Sequence, residues 1–241
     1  MENPRLSPST PAAPSHPAPA SDFGRALARP LPDILVIGAN GGIGLQTVEL
    51  ALSFGYHVRA LVRNPANLTL THPNLEIIKG DVLQPETYAA HLARVVAVIS
   101  ALGVRHKKPT TLYSQGNAIL LQQMQLAGAS RIFCISASGL DVNPTHSVIV
   151  RWLTKNVLQK ILRNMYADLR LMEKLIKQSE VDWTIIRPPR LTNKPATGHY
   201  RIAIDQTLDK AYAIARADVA HFMLNNIFNP TTFGATVEIA S

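Results

Sequence analysis

The chain of 241 residues has a single cysteine, Cys134, so it can form neither an internal disulfide nor a thiolate cluster around a metal. Its first 32 residues have no apolar run that could serve as a signal-peptide core or a membrane span. Charge is sparse, at 17% of residues, and acid is the scarcer sign: 16 Asp and Glu stand against 24 Lys and Arg. The carboxylates are too scattered for a hard-cation site, and the 8 histidines show no metal-ligand spacing, so no metal is expected. Aromatics make up only 6%, and none of the 6 tyrosines has a lysine four residues later. That absence argues against a tyrosine–lysine dyad, in which the lysine lowers the tyrosine's pKa so that it can protonate a carbonyl oxygen. Tyr166 is followed at that distance by Arg170, but a guanidinium does not give up a proton.

The excess of base amounts to a net charge of +8. Arg5, Arg25 and Arg29 against Glu2 and Asp22 give the first 32 residues +1, leaving +7 on the remainder. Such a charge suits nucleic acid or an anionic membrane as well as an anionic small ligand. No motif interleaves basic residues with aromatics, so the reading is an anionic cofactor and substrate, with no nucleic acid and no transmembrane segment. Residues 1 to 32 hold 8 of the 17 prolines, with many alanines and serines, and predict a disordered tail. Residues 33 to 241 suffice for one domain with one apolar core, expected to be cytoplasmic and a monomer or homodimer.

What is present is most telling at Asp33-Ile34-Leu35-Val36-Ile37-Gly38-Ala39-Asn40-Gly41-Gly42-Ile43-Gly44, where a buried strand runs into a glycine cluster that opens a helix. This is a phosphate-binding turn. Gly38 turns the chain off the strand, Gly41 or Gly42 lets backbone approach a diphosphate, and Gly44 lets the helix pack closely on the sheet. The free N–H groups and dipole at the helix start then favour an anion. A second strand, residues 56–62, follows after one helix, and its end is where the adenosine ribose of a dinucleotide lies. Arg63 stands there in place of the Asp or Glu that would accept from the 2′-hydroxyl of NAD. Its forked charge suits a 2′-phosphate, so the predicted cofactor is NADP(H), with Arg59 on the same strand face as an assistant.

Further strands are predicted at 75–79, 95–100, 131–136 and 181–187, with helices near 85–93 and 112–126, the latter stopped by Gly128. The region 147–179 is helical in pattern, and its first part is basic on one face: Arg151, Lys155, Lys160 and Arg163 oppose Val150, Leu153, Val157 and Ile161. Strand-like segments at 200–204 and 211–215, a helix at 217–228 and a strand at 236–240 complete the chain. The alternation predicts an α/β fold with a doubly wound parallel sheet, Rossmann-like, and a small C-terminal extension on the substrate side.

Taken in order, the glycine turn, Val62-Arg63-Asn64-Pro65, Gly80-Asp81-Val82, Ser100-Ala101-Leu102-Gly103, Ile135-Ser136-Ala137, the run from Asp182 to Pro189 and Arg216-Ala217-Asp218-Val219-Ala220 resemble the atypical short-chain dehydrogenase/reductases. Within these the chain is similar to the NAD(P)H-binding, NmrA-like group that contains flavin reductase (biliverdin-IXβ reductase). The resemblance implies that Gly38, Asn40, Gly41, Gly42, Ile43 and Gly44 hold the diphosphate, Arg63 the 2′-phosphate, and Asp81 with Val82 the adenine. It implies that Ser100, Ala101, Leu102 and Gly103 line the cofactor's path, that Ser136 is the active-site serine, and that Pro188, Arg190 and Leu191 flank the nicotinamide. It puts Lys194, Thr197 and Tyr200 in a segment covering the acceptor, with His146 and His199 in bordering loops. Flavin reductases often carry a histidine where this chain has Arg190.

With no dyad for alcohol or ketone chemistry, the expected function is NADPH-dependent hydride transfer to a planar acceptor such as a flavin, quinone or tetrapyrrole. A stacked acceptor takes hydride directly and collects its proton from solvent. The alternative is a non-catalytic NADP-binding sensor of NmrA type. Cys134, within an apolar run, is expected to be packing.

Overall fold

The computed structural model describes residues 31–104, 106, 108–141, 156 and 159–241. The predicted tail, except for Leu31 and Pro32, lies outside the described residues, as do His146 and most of the basic helix, of which Lys160, Ile161 and Arg163 are described. Ten strands are described: β1 Leu31–Ile37, β2 Tyr56–Val62, β3 Leu75–Lys79, β4 Ala97–Ser100, β5 Arg131–Ile135, β6 Asp182–Arg187, β7 Arg190–Thr192, β8 Arg201–Ile204, β9 Ala213–Ala215 and β10 Ala235–Ala240. The longer helices are α1 Gly42–Ser53, α2 Leu112–Ala127, α3 Arg163–Lys177 and α4 Arg216–Asn225.

Eight strands form one sheet in the order β3-β2-β1-β4-β5-β6-β10-β8, and β7 pairs with β9 apart from it. The pairs from β3 through β10 are parallel, as the alternation of strand and helix requires. The exception is β8, which runs antiparallel to β10 at the edge, with Val237 opposite Ile204. The expected doubly wound parallel sheet is thus present from β3 to β10, and β8 adds an antiparallel edge to it. No helix intervenes between β7 and β8, so the chain has no crossover that would return it parallel.

Period-two alternation assigns β1 to both faces. Ile34 and Val36 pack with Val48 and Ala51 of α1 and Val219, Phe222 and Met223 of α4. Leu35 and Ile37 pack with Leu120 and Met124 of α2 and Leu169, Met172 and Ile176 of α3. A strand covered by helices on both faces reads as an unbroken apolar run, which is why β1, β4 and β5 were legible without polar alternation. Each fully buried aliphatic side chain stabilises the fold by about 1.5–3 kcal/mol.

Other departures are local. The predicted helix at 85–93 is two short 3₁₀ turns, Pro85–Thr87 and Ala89–Leu92, separated at Tyr88, whose φ of −142° leaves the helical region. Tyr88 is buried and its hydroxyl donates to the Val82 carbonyl, so packing rather than helix propensity decides this segment. Nine residues are also too few to offset helix nucleation. Arg131, under the sheet at the start of β5, is 3% exposed. It donates to the carbonyls of Asp182, Asn226 and Ile227 and to the Thr232 hydroxyl, and lies 3.9 Å from the Phe133 ring centroid. Burial lowers its pKa to about 10, against a smaller raising effect from Asp182. These bonds tie β5 to β6 and to the chain after α4.

Candidate functional site

The strand order reverses between β1, which is followed by β2 and β3 on one side, and β4, which leads away on the other. In open α/β sheets the crevice outside the carboxyl ends of strands at such a switch point is where ligands bind. A cleft of about 850 Å³ lies there, lined from the carboxyl ends of strands β1 to β6 and from the starts of α1, α2 and α4.

The glycine turn forms one end of the cleft. Gly38 has a φ of +74°, and a Cβ on it would stand 2.6 Å from the Ala101 carbonyl oxygen. Only glycine fits. A Cβ at Gly44 would come within 2.2 Å of the Gly38 carbonyl oxygen, which is the close packing of helix on turn expected from its position. Gly42 departs from the expectation of open space for a diphosphate. A Cβ on it would meet the Arg216 side chain, 2.4 Å from Nε and 2.7 Å from Cδ. The turn, the start of α1 and a guanidinium therefore share one small volume, and these groups fit an anionic diphosphate by charge and donor count.

Of the residues expected to bind cofactor, Gly38, Asn40, Gly41, Gly42, Ile43, Arg63, Asp81, Val82, Ala101, Leu102, Gly103, Ser136, Pro188 and Leu191 line this one cleft. Gly44, Ser100 and Arg190 do not. Gly44 is behind the turn, Ser100 is 2% exposed beneath it, and Arg190 is exposed on β7. Arg63, at the end of β2, is exposed and has no carboxylate partner among the described residues. Arg59 is corrected. Its guanidinium pairs with Asp33 at 2.7 Å and Glu76 at 3.4 Å and donates to the carbonyls of His91 and Ala93, so it does not face the cleft. Asp81 lines the cleft with one carboxylate oxygen already accepting from the Leu83 amide at 3.0 Å.

Ser136 follows β5 directly, and its hydroxyl donates to Glu173 Oε1 at 2.6 Å. Glu173, on α3, is buried and gripped by Arg187 through Nε at 2.9 Å and Nη2 at 2.6 Å, while Arg187 Nη1 reaches Asp141 at 2.7 Å. Burial by itself would lower the Arg187 pKa; its hydrogen bonds and charges from Glu173 and Asp141 outweigh that and raise it. The serine proton is thus committed to a carboxylate, and its lone pairs remain for the cleft.

The helix face beside Ser136 was not legible. Tyr166 and Arg170 do not point there: Tyr166 is buried in the core, where burial raises its pKa, and Arg170 bonds the Leu140 carbonyl. The cleft-lining residues of α3 are one position earlier, Met165 and Leu169. Leu102, Val104 and Leu112 add to this apolar wall. Between Met165 and Leu169, Asp168 accepts from the Tyr113 and Ser114 amides and the Ser114 hydroxyl, satisfying the start of α2 and placing Tyr113 on the cleft.

Tyr113 and His106 are the titratable cleft residues at this end that the sequence reading missed. The signal available was only that the loop after β4 must open over a switch point. Tyr113's hydroxyl accepts from the Val104 amide, and burial raises its pKa. Lys194, Thr197, His199 and Tyr200 do not line the cleft. Thr197 and Gly198 donate to the buried Asp218 of α4 at 2.7 and 2.9 Å, and Tyr200 bonds His221 at 3.0 Å, which draws the segment towards α4.

This fold and cleft define a Rossmann-type dinucleotide-binding protein. Residues 38–230 match the family described as NAD(P)H-binding, and the chain belongs to that family. An uncharacterized chloroplastic protein of Arabidopsis thaliana is 29% identical over 228 residues, covering 86% of this chain and 76% of that one. The photosystem II assembly factor Ycf39 of Guillardia theta is 35% identical over 107 residues, 43% of this chain and 34% of the assembly factor's length. The chain thus spans about a third of that relative. Among solved structures, ChuY, an anaerobillin reductase of Escherichia coli O157:H7, superposes with a TM-score of 0.68 at 23% identity, covering 86% of this chain and 96% of the other. At that identity the likeness concerns the fold. Among the described residues no helix is long and apolar enough to cross a membrane.

Proposed function

We propose that the chain is an NADPH-dependent reductase whose acceptor is a flat, conjugated molecule such as a flavin, quinone or tetrapyrrole. The observation that carries this is the wall beside Ser136: Met165 and Leu169 offer no proton, and the serine's own proton is held by Glu173. NADPH, when bound, supplies a hydride. The chain's part is binding and orientation. Arg63 receives the 2′-phosphate, the glycine turn the diphosphate, and Ser136, Pro188 and Leu191 border the nicotinamide. Met165, Leu169 and Leu112 stack against an apolar ring and exclude water from its face. Charge spread over a conjugated acceptor can be neutralised by solvent, and the groups at this end of the cleft that could still deliver a proton are Tyr113 and His106 rather than Ser136.

A second reading, an NADP(H)-binding sensor that does not turn over, is favoured by the same committed serine and by the named assembly-factor relatives. The test is loss of NADPH absorbance with purified protein and a panel of flavins, quinones and bilins, with simple secondary alcohols and NADP⁺ as the converse assay. The expected outcome is oxidation of NADPH by at least one planar acceptor and no oxidation of alcohols. Tight NADPH binding without turnover on any of them would transfer the assignment to the sensor.

A further inference from the structure

We propose that Arg216 is a side-chain arm of the diphosphate site, closing over the glycine turn and pairing with the diphosphate that NADPH and NADH share. The proposal rests on dinucleotide binding in this cleft and adds a residue for which sequence reading gave no role.

Three observations meet at this side chain. It lies across Gly42, so close that any Cβ there would collide with Nε and Cδ, and it lines the cleft. It is the first residue of α4 and it packs on the first residue of α1, a place where two helix starts already present partial positive charge and where a cation is disfavoured unless an anion joins it. Among the described residues no carboxylate pairs with it; its Nη1 donates to Asn193 Oδ1, a neutral amide, at 2.6 Å. Arg59 and Arg187 show the contrast, each held by two carboxylates. A half-buried guanidinium with no carboxylate ion pair among the described residues, lying against a glycine turn, is placed for phosphate oxygens, which its fork can meet with two parallel bonds. Gly42 accordingly serves to seat the arginine.

The two cationic arms are then separable by ligand. ADP-ribose carries the diphosphate without a 2′-phosphate, and adenosine 2′-monophosphate carries the reverse. In calorimetric titrations of the full chain, Arg216→Gln and Arg216→Ala should weaken ADP-ribose, NADH and NADPH alike by roughly tenfold or more, the scale of a charge-assisted hydrogen bond. Both should leave adenosine 2′-monophosphate unchanged. Arg63→Ala should weaken adenosine 2′-monophosphate and NADPH and spare ADP-ribose and NADH. Gly42→Ala should also weaken ADP-ribose, and by less when Arg216 is already replaced, because it acts through the displaced arginine. Arg216→Gln keeps a donor for Asn193, so its melting temperature shows whether the fold is intact.

Unchanged ADP-ribose affinity in a well-folded Arg216→Gln variant would overturn the proposal while leaving the cofactor assignment standing. Failure of the unaltered protein to bind NADPH, NADH or ADP-ribose would overturn both.

Discussion

Replacing Glu173 by Gln removes one charge from a buried pair while keeping the side chain's shape. Glu173 is 5% exposed and the Arg187 side chain 14%, so neither is solvated well enough to stand alone. Breaking such a pair costs about 3–5 kcal/mol, because the remaining ion loses its counter-charge without regaining water. Asp141 stays on Nη1 at 2.7 Å, but its side chain is 59% exposed, so it offsets only part of the loss. The lower end, about 3 kcal/mol, is therefore expected. For a chain of this size that corresponds to a fall in melting temperature of roughly 6–12 °C. Ser136→Ala provides the comparison. It deletes one hydrogen bond, yet Glu173 Oε1 keeps its bond from Arg187 Nε at 2.9 Å, so the loss should be about 1 kcal/mol. Thermal and urea unfolding of the two variants and their double mutant measure both quantities and their coupling. A Glu173→Gln variant melting within about 2 °C of the parent would show that the pair is not a buried ion pair in solution, and with it would fall the argument that the Ser136 proton is committed.

The unaltered protein should bind NADPH at least roughly tenfold tighter than NADH, about 1.4 kcal/mol, and Arg63→Asp should abolish or invert the preference; equal affinities in a fluorescence titration would refute the role of Arg63. Arg131→Met should cost about 3 kcal/mol or more in urea unfolding, because it removes the bonds to the carbonyls of Asp182, Asn226 and Ile227 and to the Thr232 hydroxyl, of which the Asn226 carbonyl keeps a second donor in the Asn229 amide, and a loss under about 1 kcal/mol would contradict this. Cys134 is fully buried, and burial pushes its thiol pKa far above the ordinary value, against smaller lowering effects from Ser100 and Arg131. It should react with a disulfide reagent only on unfolding, and rapid modification of the native chain would show an opening that the fold does not imply.

The parts of the fold legible in sequence were those where one local rule decides. β1, β4 and β5 are buried on both faces, so burial alone wrote their apolar runs, and Gly38 is dictated by a positive φ with Ala101 behind it. The parts that were not legible depend on which neighbour a side chain meets. Arg59 and Arg63 look equivalent along one strand face, yet Arg59 pairs with Asp33 and Glu76 and Arg63 with no carboxylate among the described residues. Tyr166 was the residue to weigh on chemical grounds, but the crossing of α3 over α2 turns the position before it towards the cleft. Thr197 and Tyr200 resemble cover for an acceptor until Asp218 and His221 are seen to hold them. A strand period or a capping residue is local, whereas the facing of α3 is set by Asp168 on the start of α2, 55 positions away in sequence from Tyr113.

The cleft concentrates its positive charge at one end and its apolar surface at the other, and this division bears on whether the chain turns over or senses. On the reading proposed above, Arg63, Arg216 and the helix start would hold a dinucleotide through groups that do not change when the nicotinamide is oxidised or reduced. A sensor of redox state would need the opposite, contacts that change when the nicotinamide is oxidised. Any discrimination between NADPH and NADP⁺ must then come from the other end, where the new charge of NADP⁺ would lie against Met165, Leu169 and the lone pairs of Ser136. Oriented lone pairs fixed by Glu173 favour a cationic ring, while the thioether and isobutyl groups disfavour it. These effects oppose each other, so the ratio of NADPH to NADP⁺ affinity, and its change in Ser136→Ala and Glu173→Gln, measures which of them wins and so whether the cleft tells the two redox forms apart.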